Sequence, residues 1–200
     1  MPRAIEFFFD YGSPYSYIAN AVLPELARRH AAELVYRPML LGAVFKETGN
    51  QSPMYESVAA KRAYGALALR RTAAHHGVAF EGNPHFPINT LVLMRTAVAA
   101  QQAGVFAPFH AAVYPAFWVK GENLGDAAVV ADLLAGAGLD AASLAERATT
   151  RAVKDELRAN SEQAVARGAF GAPSIFFGGE LYFGVDHLPY LERALAQSAP

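Results

Sequence analysis

Strand-like sequence is confined to the two ends of this 200-residue chain, and the stretch between residues 41 and 167 is dominated by helical periodicity. Any sheet must therefore be assembled from segments far apart in sequence. At the front, Ile5 to Phe9 is a short apolar run with three aromatics, closed by Asp10 and Gly12. Its length and composition predict a buried strand rather than a helix. Ser13 then stands as an N-cap and Pro14 occupies the first helical position, where its missing N–H costs nothing. Ile18, Ala19, Val22, Leu23 and Leu26 continue at helical spacing, carrying the helix to about His30. Glu33 to Pro38 alternates as a second strand, which completes one strand, helix, strand crossover. At the far end, Ser174–Phe177, Gly178-Gly179 and Glu180–Phe183 predict an antiparallel hairpin turned by glycine. Asp186 is placed to cap a last helix from about His187 to Gln197.

Between these ends, Tyr55 to His76, Thr90 to Gln102, Phe106 to Trp118, Ala127 to Ala137 and Thr149 to Arg167 are alanine-rich with apolar residues at helical spacing. The order βαβ, helices, ββα predicts an α/β chain with a thioredoxin-like fold. Residues 1–40 and 168–200 would form its discontinuous thioredoxin-like domain, and residues 41–167 an inserted all-helical domain.

Composition narrows the chemistry. The chain has no cysteine, which excludes disulfides, thiolate metal sites and a redox-active Cys pair of its own. With 17 basic against 18 acidic residues, it carries no electrostatic footprint for nucleic acid or an anionic membrane surface. The apolar run at the amino terminus is interrupted by Glu6 and closed by Asp10, unlike a signal peptide. No apolar run reaches the length of a membrane span. A cytoplasmic enzyme or binding protein is the expectation.

The strongest local feature is Asp10-Tyr11-Gly12-Ser13-Pro14-Tyr15-Ser16, where the first strand hands over to the first helix. A thioredoxin fold holds its Cys-x-x-Cys pair there; here Ser13 and Ser16 stand at the two positions. A helix start offers unpaired N–H groups and a partial positive charge, which suit a bound thiolate, and the Ser13 hydroxyl can donate to one. The segment alone reads equally well as an ordinary capped helix start. Gly168 to Ser174 precedes the third strand, so Ala172–Pro173 is the expected cis bond of the fold. It would expose the Ala172 backbone to an extended peptide such as the cysteinyl part of glutathione. An ordinary proline at a strand entrance is the alternative.

Arg37 to Asn50, Ser13-Pro14-Tyr15-Ser16, Asn83 to Asn89, Gly168 to Pro173 and Phe183-Gly184-Val185-Asp186 together resemble the 2-hydroxychromene-2-carboxylate isomerases. These are grouped with kappa-class glutathione transferases and DsbA-type oxidoreductases. The resemblance runs through essentially the whole chain in order. It implies glutathione as cofactor and a homodimer. It places Ser13 on the glutathione sulfur, Pro14 and Tyr15 in the same loop, and Asn50 at the glycine end. Ala172, before Pro173, pairs with the cysteinyl backbone, and Val185 and Asp186 take the γ-glutamyl end. Kappa transferases carry Ser where this chain has Val185, so only the Val185 backbone can serve. Asp186 suits the α-ammonium group chemically.

The activity the resemblance implies is interconversion of 2-hydroxychromene-2-carboxylate and trans-o-hydroxybenzylidenepyruvate in aromatic-hydrocarbon catabolism. A borrowed thiolate adds to the conjugated carbon, the former double bond rotates, and elimination returns the thiol. Lys46 is expected to meet the substrate carboxylate, with His85 and Asn89 supplying polar contacts. A kappa-like transferase or peroxidase that consumes glutathione is the alternative in the same fold. A peptide-binding module that has lost its cysteines is the alternative of another class. No metal site is expected, because the scattered histidines lack ligand spacing. Trp118 and its aromatic neighbours read as core.

Overall fold

The structure is a computed structural model that describes residues 3–198. Strand β1 (Ala4–Phe9) lies parallel to β2 (Glu33–Pro38) and antiparallel to β3 (Ser174–Phe177), which pairs in turn with β4 (Glu180–Phe183). The sheet order is β2-β1-β3-β4, with the two chain ends meeting at its centre. Phe7 sits between Tyr36 and Ile175, and Phe8 between Arg37 and Ser174. Helix α1 (Pro14–Arg29) makes the crossover from β1 to β2. This is the thioredoxin-like α/β fold expected.

Because strand side chains alternate, β1 serves two cores. Ile5, Phe7 and Phe9 join Ile18, Leu23 and Leu26 of α1 in the larger one. That core continues without interruption into α4 (Leu91–Gln102) and α5 (Phe106–Trp118). On the other face, Phe8 and Phe176 pack with Met39, with Val44 of α2 (Leu41–Thr48) and with Ala164 of α8 (Arg151–Ala166). Glu6 faces the same side, where it pairs with Arg167 at 2.8 Å and Arg37 at 3.4 Å. The Arg167 guanidinium also lies 3.9 Å from the centre of the Phe176 ring.

The remaining helices are α3 (Ala59–His75), α6 (Ala127–Gly136), α7 (Ala141–Ala148) and α9 (Leu188–Gln197). Four features differ from the sequence reading, the first being helix α2, which was not expected. Helix α3 starts four residues after Tyr55, because Pro53–Tyr55 forms a separate 3-10 turn. Helix α7 was not expected at all; it buries only Leu144 and Ala148 on a short surface element. Asp186 does not cap α9. Pro189 in the first turn sets the helix start at Leu188, His187 occupies the N-cap position without a side-chain bond, and Asp186 stands one residue outside. Among the described residues, no helix is long and apolar enough to cross a membrane.

Candidate functional site

The site is built where β1 turns into α1. Ser13 is the helix N-cap: it has extended backbone angles, and its hydroxyl oxygen accepts the Ser16 N–H at 3.1 Å. The same hydroxyl donates to the Ala172 carbonyl at 3.0 Å. That bond ties the helix start to the loop before β3, and the Ala172–Pro173 bond is cis, as expected; so is Phe86–Pro87. The Pro173 carbonyl accepts from Gly184 N at 3.1 Å, which brings the segment after β4 alongside. Gly184 has φ +83°, and a Cβ there would stand 3.2 Å from the Asp186 carboxylate. A side chain at that position would be strained and would crowd Asp186.

The Ser13 loop is held from behind by Asp10, which is buried and accepts three hydrogen bonds. Gly12 N bonds one carboxylate oxygen at 2.9 Å; Leu41 N at 2.9 Å and the Thr90 hydroxyl at 3.0 Å share the other. The Asp10 carbonyl also accepts Ser13 N at 3.0 Å. Burial pushes the Asp10 carboxyl up from its ordinary value, against the lowering effect of its donors. Asp10 thus binds three elements: the site loop, the start of α2 and the start of α4. Trp118, read as core from the sequence, is core: its indole N–H donates to the Tyr11 carbonyl at 2.9 Å. The Tyr11 hydroxyl meets His110 Nδ1 at 2.7 Å, and His110 Nε2 meets Asn20 Oδ1 at 2.7 Å. An amide oxygen can only accept, so Nε2 carries the proton and Nδ1 accepts from Tyr11. Burial lowers the His110 pKa to about 3, and the ring is neutral.

A cleft of about 590 Å³ opens beside this frame. Tyr15, Ala172, Pro173, Val185 and Asp186 line it together, five of the residues expected from the sequence. Ser13 lies just beneath, 4% exposed, with Pro14 behind it in the first turn of α1. Burial, and then the Asp186 charge, push the Tyr15 phenol above its ordinary pKa, so it remains an O–H donor. The opposite wall was not foreseen. Helix α3 contributes Ala68, Arg71, Thr72 and His75, and His76 follows as its C-cap. Among the described residues neither Arg71 nor Asp186 has an ion-pair partner, so the cleft carries a cation and an anion that nothing neutralises. Burial and the adjacent His75 lower the His76 pKa. His75-His76 is visible in the sequence as a pair, but the path that carries α3 across the cleft is a tertiary fact.

Four expected residues lie elsewhere. Asn50 braces the loop rather than lining the cleft: its side-chain amide donates to the Phe170 carbonyl at 2.8 Å, and its oxygen accepts Gln51 N at 2.8 Å. Lys46 lines a different cleft, toward α8, because α2 packs on the Phe8 face of the sheet. His85 is exposed in a turn where Asn83 accepts its N–H, while the Asn83 amide donates to the Phe117 and Glu122 carbonyls. Asn89 is exposed and accepts Leu91 N at the start of α4. None of these four lines the cleft, and the cation that does is Arg71.

The cleft can accept an extended peptide. The N–H of Ala172 makes no hydrogen bond among the described residues, and neither do those of Val185 and Asp186 before α9. The free N–H groups of Val185 and Asp186, in the turn that leads into α9, suit a carboxylate, and the free N–H of Ala172 suits a peptide backbone.

Comparison with known proteins fits this geometry. A family model described as a DSBA-like thioredoxin domain matches residues 4–196. The 2-hydroxychromene-2-carboxylate isomerase of Sphingobium xenophagum is 32% identical over 195 residues, covering 98% of this chain and 99% of the relative. Glutathione S-transferase kappa 1 of Rattus norvegicus is 27% identical, covering 98% and 92%. A solved structure of a 2-hydroxychromene-2-carboxylate isomerase superposes with a TM-score of 0.81 at 25% identity, covering 97% of this chain and 95% of that one. The chain belongs to the DSBA-like thioredoxin-domain family and, within it, to the enzyme group of the 2-hydroxychromene-2-carboxylate isomerases.

Proposed function

We propose that this protein is a glutathione-dependent isomerase of 2-hydroxychromene-2-carboxylate and its ring-opened isomer. The observation that carries the reading is the convergence on one cleft of Ser13, the cis Ala172–Pro173 bond, Asp186 and Arg71 in a chain without cysteine. Glutathione fits the groups present. The free Ala172 N–H would pair with its cysteinyl backbone, and the free N–H groups of Val185 and Asp186 with its γ-glutamyl carboxylate. The Asp186 carboxylate would hold the α-ammonium. When bound, glutathione supplies a thiolate that adds reversibly to the conjugated carbon, allows the former double bond to rotate and then leaves.

The protein's own work is electrostatic and positional. Ser13 would turn its single O–H proton from the Ala172 carbonyl to the sulfur and so favour the thiolate. Asp10 keeps the Ser13 loop and the starts of α2 and α4 in register. Arg71, across the cleft, is the cation available for the substrate carboxylate, the part expected of Lys46. Tyr15, Phe183 and Pro173 give the aromatic ring an apolar wall. A serine at position 13 binds the thiol without trapping it as a mixed disulfide, as a cysteine would. A reaction that needs reduced glutathione fits the cytoplasm, where thiols are kept reduced.

We also infer a homodimer. Tyr64 and Leu67 lie one turn apart on α3 and are 63% and 44% exposed, an apolar stripe that a second copy would cover. The reading as a whole is tested by calorimetric titration of glutathione into the wild type and Asp186→Ala. Binding weakened by roughly tenfold or more in the variant supports it, as expected for losing a charge-assisted contact. Absence of binding to the wild type refutes it.

A further inference from the structure

We propose that a second cleft, between α2, α4 and α8, is a binding site for an organic acid with an apolar body. The cleft has a volume of about 710 Å³, within the range of small-molecule pockets, and shares no lining residue with the first. Four cations face it, Lys46, Arg95, Lys154 and Arg158, against two carboxylates, Glu47 and Glu162. In a chain whose formal charge is -1, this is a local excess of positive charge.

Three of the four cations have no carboxylate partner. Among the described residues no ion pair joins Lys46, Arg95 or Lys154 to any carboxylate, and Arg158 reaches only Asp155, which does not line the cleft. Arg95 is the informative one. It projects from α4 between the buried residues Met94 and Thr96, and its Nε is buried with no hydrogen-bond partner. A guanidinium nitrogen shut away from water normally has an acceptor. A carboxylate entering the cleft would instead meet the two terminal nitrogens, which make no hydrogen bond among the described residues and, unlike Nε, are not buried. The floor is apolar, with Val44, Leu91, Leu157 and Val165, and would cover a ring or short chain.

The cleft borders the catalytic frame through α2. Leu40 lines it, and the next residue, Leu41, donates its N–H to Asp10, whose carbonyl holds Ser13 N.

The test is calorimetric titration of 1-naphthoate into the full chain, into Lys154→Met and into Arg95→Met, with 1-naphthalenemethanol as the neutral probe. Lys154 is half-buried and lines the cleft without an ion-pair partner, and a thermal melt of each variant checks that it is folded. A saturable naphthoate phase that weakens by about tenfold or more in both variants, with the neutral probe binding at least as weakly to the wild type, supports the site. No saturable phase in the wild type, or unchanged affinity in the folded variants, overturns it. Glutathione binding, followed in the same samples, reports separately on the first cleft.

Discussion

The Ser13 hydroxyl donates to the Ala172 carbonyl across 3.0 Å, joining the helix that would hold a thiolate to the loop that would hold the peptide carrying it. The hydroxyl has one proton, and its oxygen already accepts Ser16 N. A bound sulfur therefore competes with the Ala172 carbonyl for that proton. Ser13→Ala should lower the glutathione-dependent rate by roughly 10- to 100-fold, the weight of a hydrogen bond to a charged group. The pH profile of kcat/KM should move to higher pH, because the thiolate loses a donor. Stability should fall by only about 1 kcal/mol for the lost cap. Stopped-flow kinetics against pH, with a urea melt, separates the two effects.

Ser13→Cys restores a thiol at the thioredoxin position. Treated with oxidised glutathione, this variant should form a mixed disulfide visible by intact-mass spectrometry, and its isomerase turnover should stop until reductant is added.

Arg71→Met removes the cation of the α3 wall. If Arg71 meets the substrate carboxylate, KM for the chromene carboxylate should rise by about tenfold with kcat little changed, the signature of lost uniform binding. Steady-state kinetics at saturating glutathione reads both constants.

Two buried groups should leave opposite marks on stability. Asp10 has its pKa raised above 3.8 by burial, so the folded state takes up a proton at a pH where the unfolded chain has not. Its contribution therefore grows as pH falls through the folded pKa toward 3.8. His110 has its pKa lowered from 6.5 to about 3, so its contribution is full above 6.5 and is lost as pH falls toward 3. Urea melts from pH 7 to pH 4 should show a flatter acid loss in His110→Gln than in the wild type. The loss should be steeper in Asp10→Asn. Two-dimensional NMR should find the His110 ring neutral throughout that range.

Much of this frame was legible in the sequence because its signals are local. The Ser13 cap, Pro14, the short aromatic run of β1 and the Gly178-Gly179 turn each act within a few residues, and the strands and α1 lie where those signals put them. Helix α2 escaped because its first N–H groups are satisfied from afar: Leu40 N by Ser161 and Leu41 N by Asp10, 121 and 31 residues away. Asp10 itself looked like the end of a strand, yet it joins three elements. The cleft was half legible. Tyr15, Ala172, Pro173, Val185 and Asp186 belong to the ends of the fold and follow from its topology. Arg71 and His76 reach the cleft only through the path of α3, and Lys46 leaves it because α2 presents that side to α8. Charge type alone could not tell these cations apart.

The account rests on a borrowed thiol, and the direct measurement is the isomerisation rate of the wild-type protein against glutathione concentration, with free thiol followed in parallel. A rate that is negligible without glutathione and saturates with it, while the thiol is recovered in full, is the predicted result. Turnover of the chromene carboxylate at the same rate without thiol, or stoichiometric loss of thiol as substrate is consumed, would contradict it.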